Sequence, residues 1–131
     1  MVESEVRELA TGRNFAALTT LFADGRPQTQ MMWVDADEEH VLINTEVHRA
    51  KFANVSRDAR VAVAIIDTED PYHYAEVRGV VVSTETGDAA RAHIEALAQR
   101  YTGAAYRGTI QSERVILRIE PREQRVNGPR R

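Results

Sequence analysis

The segment Asn44-Thr45-Glu46-Val47-His48-Arg49-Ala50-Lys51-Phe52-Ala53-Asn54 puts two cations, a hydroxyl and an amide where a strand is expected to pass into a helix. A helix N-terminus exposes backbone N–H groups without intrahelical partners and the positive end of the macrodipole, so such a crossing suits an anion. Arg49 and Lys51 add positive charge and Thr45 a donor. Lys51 and Asn54 are three apart and share a helical face, whereas Arg49 sits about half a turn away and reaches the same point only from the loop edge. The alternative is that Arg49 and Lys51 are solvated surface charges. One fact sets Lys51 apart: among 17 lysines and arginines it is the single lysine. A bias toward arginine codons explains the arginines but not the place of the lysine.

A second stretch, Pro27-Gln28-Thr29-Gln30-Met31-Met32-Trp33, alternates so that Gln28, Gln30 and Met32 share one face of a strand and Thr29, Met31 and Trp33 the other. Neither face is purely polar, so both are expected to be covered. Methionine and tryptophan offer polarizable surface to a flat ring or a partner subunit, and equally to an ordinary core. In a third, Tyr74-Ala75-Glu76-Val77-Arg78-Gly79, Tyr74, Glu76 and Arg78 share a face; Glu76 and Arg78 could pair with each other, bind a ligand or meet a second subunit. The four histidines (His40, His48, His73, His93) lack metal-ligand spacing, so no metal site is expected. There is no Cys, which excludes disulfides, thiolate ligands and cysteine nucleophiles. Phosphate-loop, dinucleotide-fingerprint and nucleophile-elbow patterns are absent.

The elements that must position these residues follow from periodicity and turn signals. Ser4 to Thr11 is expected to form a helix, with Val6, Leu9 and Ala10 on one side. Asn14–Phe22 and Pro27–Val34 read as a hairpin about the Asp24-Gly25 turn. Asp35–Glu39 reads as a polar turn and His40–Thr45 as a third strand. Glu46–Arg57 reads as a helix. Ala59–Ile66 is a largely apolar run, expected to be a strand buried on both faces. Tyr74–Thr84 and Arg114–Ile119 complete the strands, with an amphipathic helix over Asp88–Tyr101 and a loop over Thr102–Ser112. The short connections favour an antiparallel α+β arrangement over a parallel one. The chain of 131 residues suits a single domain, residues 1–131, with 124–131 expected as a flexible tail.

A net charge of −3 gives no general attraction to nucleic acid or to an anionic membrane. No apolar run is long enough to span a bilayer, and the charged N-terminal residues lack the apolar stretch of a secretory signal, so a cytoplasmic location is expected.

Four pieces, taken in order, resemble the pyridoxamine 5′-phosphate oxidase-like superfamily, and most closely its branch using the deazaflavin coenzyme F420 in place of FMN. They are Leu18 to Trp33 with its Asp-Gly-x-Pro turn; Asn44-Thr45 through Arg49-x-Lys51-x-x-Asn54 to Asp58-x-Arg60-Val61; Tyr74-x-Glu76-Val77-Arg78-Gly79; and Arg100-Tyr101-Thr102-Gly103-x-x-Tyr106 followed by Glu113-Arg114-Val115. The match runs from Leu9 to Pro121. It implies a mostly β, α+β fold, a six-stranded antiparallel split β-barrel with flanking helices, homodimeric, with two cofactor sites at the interface. By the same resemblance Arg49, Lys51 and Asn54 hold the cofactor phosphate, with Thr45 at the pocket edge. Gln30, Met31 and Met32 line the tricyclic ring, and Tyr74 reaches across from the second subunit. The chain departs from the pattern at Met31 (often Pro), Phe52 (often Arg) and Ala59 (often Pro). The missing arginine removes positive charge near the phosphate and leaves the choice between F420 and FMN open. The activity implied is hydride transfer to an unsaturated small-molecule substrate. The alternative is a carrier that holds a flavin or haem without turnover.

Overall fold

In a computed structural model, which describes residues 1–128, a seven-stranded antiparallel sheet runs in the order β2-β1-β5-β6-β7-β4-β3 and curls around one apolar core. Its strands are β1 (Phe15–Leu21), β2 (Pro27–Trp33), β3 (Asp35–Ala36), β4 (Val41–Glu46), β5 (Arg60–Asp67), β6 (Asp70–Glu85) and β7 (Arg114–Asn127). Three helices accompany it: α1 (Ser4–Thr11), α2 (Ala50–Arg57) and α3 (Asp88–Thr102). No helix among the described residues is long and apolar enough to cross a membrane.

Two long strands make the curl possible. β6 pairs with β5 from Asp70 to Val80 and with β7 from Tyr74 to Glu85, while the first residues of β7 pair with β4. The β6–β7 ladder thus belongs to both halves of the sheet, and its register shifts at Arg78/Gly79 and Val81/Ser83. Such bulges raise local twist and bend a strand. At the first of them a Cβ on Gly79 would stand 2.2 Å from the Glu120 carbonyl oxygen, so only glycine admits this approach of backbones. Inside the curl lie alternate residues of each strand, among them Leu18, Val41, Ile43, Val63, Ile65, Val77, Leu117 and Ile119, with Val6, Leu9 and Ala10 of α1 against them.

The elements depart from the sequence expectations at five points. There are seven strands rather than six, because Asp35 and Ala36, expected in a polar turn, pair with Leu42 and Val41 as Ala36 enters the core. Glu46, expected to open the second helix, is the last residue of β4 opposite Arg114, and α2 starts only at Ala50. β5 is not buried on both faces: Val61, Val63 and Ile65 are, whereas Ala62, Ala64 and Ile66 face away from the core and keep some exposure. β7 continues to Asn127, so residues 124–127, expected to begin a flexible tail, pair with β6; residues 129–131 lie outside those described. β2 is not covered on both faces within the chain, since Met31 is 62% exposed.

α3 is fastened across the open side by polar and aromatic contacts. Asp35 accepts hydrogen bonds from Arg100 and pairs with His93 Nε2 at 3.0 Å. Tyr101 stacks on Trp33, with ring centroids 4.9 Å apart and planes 3° from parallel, and its hydroxyl donates to the Asn14 carbonyl. Burial works against the Asp35 charge, but the hydrogen bonds from His93 and Arg100 outweigh it and hold its carboxyl below the ordinary 3.8.

Two outcomes follow. Gly79→Ala is expected to cost about 3 kcal/mol in urea unfolding, the upper end of overpacking penalties, because the clash is with backbone. Because the folded Asp35 carboxyl sits below its ordinary 3.8, its stabilising contribution is complete above that value and lost as pH falls through the lower folded value. Asp35→Asn is therefore less stable than the parent at pH 7, and thermal melts across pH show the gap closing once pH drops below 3.8.

Candidate functional site

The corner between β4 and α2 is built by a single buried carboxylate. Glu46 is fully buried at the end of β4. Its Oε1 accepts the backbone N–H groups of Gln111 (2.7 Å) and Ser112 (2.8 Å), and its Oε2 lies 3.3 Å from Arg114 and 3.5 Å from Arg49. Burial opposes the charge, yet the two N–H groups and the guanidinium groups of Arg114 and Arg49 prevail and hold the Glu46 carboxyl below its usual range. The chain then turns, with Val47 N–H bonded to Glu113 and Arg49 N–H to Glu46, and enters α2 with Arg49 extended and supplying no side-chain cap. Phe52 and Ala53 donate to the Arg49 carbonyl, which leaves Ala50 and Lys51 as the open N–H donors of the first turn.

Lys51 is only 6% exposed, and its ammonium has no hydrogen bond or ion pair with any described residue. Burial, together with repulsion from Arg49 and Arg114, lowers its pKa from the ordinary 10.5. Six residues earlier, in β4, Thr45 is 3% exposed and its Oγ1 has no hydrogen-bond partner among the described residues. A buried hydroxyl left without a partner costs free energy that a bound acceptor would recover, and an ammonium on a largely buried side chain gains from a bound anion. Asn54 plays a different part from Lys51: its amide nitrogen donates to Thr20 (2.9 Å) and Gln28 (3.4 Å), and its oxygen accepts from Arg57 (3.0 Å). The amide thereby ties α2 to the β1–β2 hairpin and has no donor to spare.

Next to this corner a cleft of about 400 Å³ opens between β2 and α3. Met31, Met32, Ile94 and Leu97 are among its apolar lining, and Asn44, Arg114 and Arg49 its polar lining. Arg49 lines the cleft and also faces Glu46, so it links the ring-sized slot to the corner that holds Lys51 and Thr45. β2 is an edge strand of the sheet, and one row of its peptide groups is free of ladder bonds. Gln30, exposed, lies in that strand one residue before the methionine pair. Tyr74 is not part of this group. Its register runs Trp33↔Phe15↔Ile66↔Tyr74 across the sheet, three strands from β2, or about 14 Å at ordinary strand spacing.

Of the residues singled out in the sequence, the structure thus brings Met31, Met32 and Arg49 to one cleft, with Lys51 and Thr45 at its corner, and separates Tyr74 from them. Three residues of the site, Glu46, Arg114 and Asn44, stood within the quoted segments but were given no role there. Arg114 Nε donates to Asn44 Oδ1 (2.8 Å) and its Nη1 to Glu46, a cluster created by the β4–β7 register and invisible to local spacing.

The sequence profile of the pyridoxamine 5′-phosphate oxidase family matches residues 2–127. Among solved structures, an F420 reductase is 30% identical, with 95% of this chain and 98% of that one covered and a TM-score of 0.82. A conserved hypothetical protein from Mycobacterium tuberculosis is 23% identical over 97% of this chain and 84% of its own, with a TM-score of 0.74. HutZ, the haem storage protein of Vibrio cholerae, is 16% identical over 96% and 94%, with a TM-score of 0.65. The last two establish likeness of fold alone. A profile spanning nearly the whole chain, with the shared curled sheet, places this protein in the pyridoxamine 5′-phosphate oxidase family, as one of its split barrels.

Proposed function

We propose that the protein is a homodimeric oxidoreductase that binds the deazaflavin F420, with FMN as the nearest variant, and uses it to reduce an unsaturated small molecule. The observation that carries this reading is Lys51: a lysine only 6% exposed whose ammonium has no counter-ion among the described residues, in the same β4–α2 segment as an unpartnered Thr45 hydroxyl and the open N–H groups of α2, with Arg49 of that segment lining a cleft that Met31 and Met32 also line. Those donors fit a phosphate. In that role Lys51 and Arg49 neutralise it, Thr45 donates to it, and Asn54 holds α2 where the first turn can reach it. Gln30, Met31 and Met32 offer an edge strand's free peptide groups and polarizable side chains to a flat ring. Bound there, the cofactor supplies the hydride chemistry; the protein binds, orients and excludes water. The likeness to an F420 reductase at 30% identity supports the deazaflavin over FMN.

The second protomer is argued from the outer face of β1, β2 and β5. Ala17, Ala62, Ala64 and Ile66 lie there beside Phe15, 41% exposed, and Met31. Small apolar side chains in register make a flat surface suited to another copy of itself. Tyr74 shares that face, too far from its own cleft to line it, so its part in a cofactor site is to reach the partner's. A cytoplasmic location accords with this chemistry.

Titration of the purified protein with F420 and FMN in parallel tests the reading. Saturable binding, with F420 the tighter, is expected, and Lys51→Ala should weaken it by roughly 1.5–3 kcal/mol, the scale of charge-assisted hydrogen bonds. Unchanged affinity in Lys51→Ala contradicts the phosphate assignment. Bleaching of reduced cofactor that depends on substrate concentration separates an enzyme from a carrier, which binds tightly and shows none. Light scattering should give a dimer for the parent and a monomer for Ala64→Arg, with flavin affinity lost alongside; a monomeric parent overturns the two-chain site.

A further inference from the structure

A second cavity, of about 480 Å³, lies beyond the cleft, between the end of α3 and the loop that follows it. Its volume is in the range of small-molecule sites. Trp33 lines it from the sheet, Ala98 and Thr102 from α3, and Ala104, Tyr106 and Arg107 from the loop side. Trp33 and Tyr106 line both cavities.

The shared wall is held rigid. Trp33 is stacked on Tyr101, and Tyr106 stands edge-on to Trp33 at 6.3 Å and 76°. The Arg114 guanidinium lies over the Tyr106 ring at 5.5 Å, and the Tyr106 N–H donates to Glu95 at 3.1 Å. A Cβ at Gly108 would stand 2.3 Å from the Tyr106 hydroxyl oxygen, so glycine at that position leaves room for the phenol against the loop. Alanines at 98, 104 and 105 keep the space between aromatic wall and loop open. The cations of this end differ in one respect. Arg100 is paired with Asp35 and Arg114 with Glu46, but Arg107 has no hydrogen bond or ion pair with any described residue.

We propose that this cavity is a second ligand subsite, which takes a planar unsaturated molecule bearing one carboxylate. The flat part lies between Trp33 and Tyr106, along one ring and edge-on to the other, and the carboxylate meets Arg107. Its role as the seat of the hydride acceptor rests on the assignment of the neighbouring cleft to the cofactor ring; the binding itself does not.

Calorimetric titration of the full-length protein with 2-naphthoate and, in parallel, with neutral 2-naphthalenemethanol tests this. Naphthoate is expected to saturate one site per chain and to remain bound when FMN is added at saturation. Arg107→Gln should weaken naphthoate about tenfold while leaving the alcohol unchanged, the loss expected for one charge-assisted contact at a partly exposed site. Ala105→Phe, a substitution in the exposed loop, should block both probes. Naphthoate affinity unaltered by Arg107→Gln, displacement of naphthoate by FMN, or no binding of either probe overturns the proposal. Arg107-dependent naphthoate binding in a protein that takes up neither FMN nor F420 supports the subsite and removes the cofactor assignment instead.

Discussion

A lysine drawn almost wholly into the fold, with no counter-ion for its ammonium among the described residues, is costly for a small fold to keep, and the corner around Lys51 bears that cost. Arg49 and Arg114 lie close enough to lower its pKa, and burial lowers it further. The carboxylate of the neighbourhood, Glu46, is already saturated by two backbone N–H groups and the two guanidiniums. Three cations, Arg49 among them about half exposed, therefore share one anion. Substitution of a buried polar cluster by apolar residues is often neutral or stabilising, so a cluster of this kind is poorly explained by stability alone. In the proposed function, a ligand carrying negative charge completes the balance.

The rest of the fold can be understood as the support for that corner. The β4–β7 register sets Glu46 opposite Arg114 and so anchors the loop before β7 to the start of the α2 turn. Asn54 fastens α2 to Thr20 and Gln28, fixing the direction in which its first turn points. The Asn44–His93–Asp35–Arg100 chain of hydrogen bonds ties α3, which supplies Ile94 and Leu97 to the cleft lining, to β3 and β4. Each of these contacts joins residues distant in sequence, and each trades conformational freedom for position.

That distance explains what could and could not be read in advance. α1, the first hairpin and α3 were legible because their signals are local: amphipathic spacing and an Asp-Gly turn. The two-residue β3 was not, because its pairing depends on burial of Ala36 rather than on its polar neighbours. The start of α2 was misplaced for a similar reason. Glu46 is a good helix residue held in a strand by partners some 65 positions away. Arg49, Lys51, Met31 and Met32 stood out by type and by family likeness, and Lys51 doubly so as the single lysine. Asn54 stood out too, but spacing placed it on the face of Lys51 without showing that its donors were engaged. Tyr74 could be placed near a cleft only through a second chain.

The single lysine also makes the central claim directly measurable. With lysine alone labelled at 13Cε, the side chain gives one NMR signal whose pH titration reports the Lys51 ammonium. The account predicts a midpoint below the ordinary 10.5 in phosphate-free buffer, moving upward when inorganic phosphate is added as the anion takes its place beside the charge. A midpoint at the ordinary value, indifferent to phosphate, would mean that the corner is merely a solvated stretch of surface.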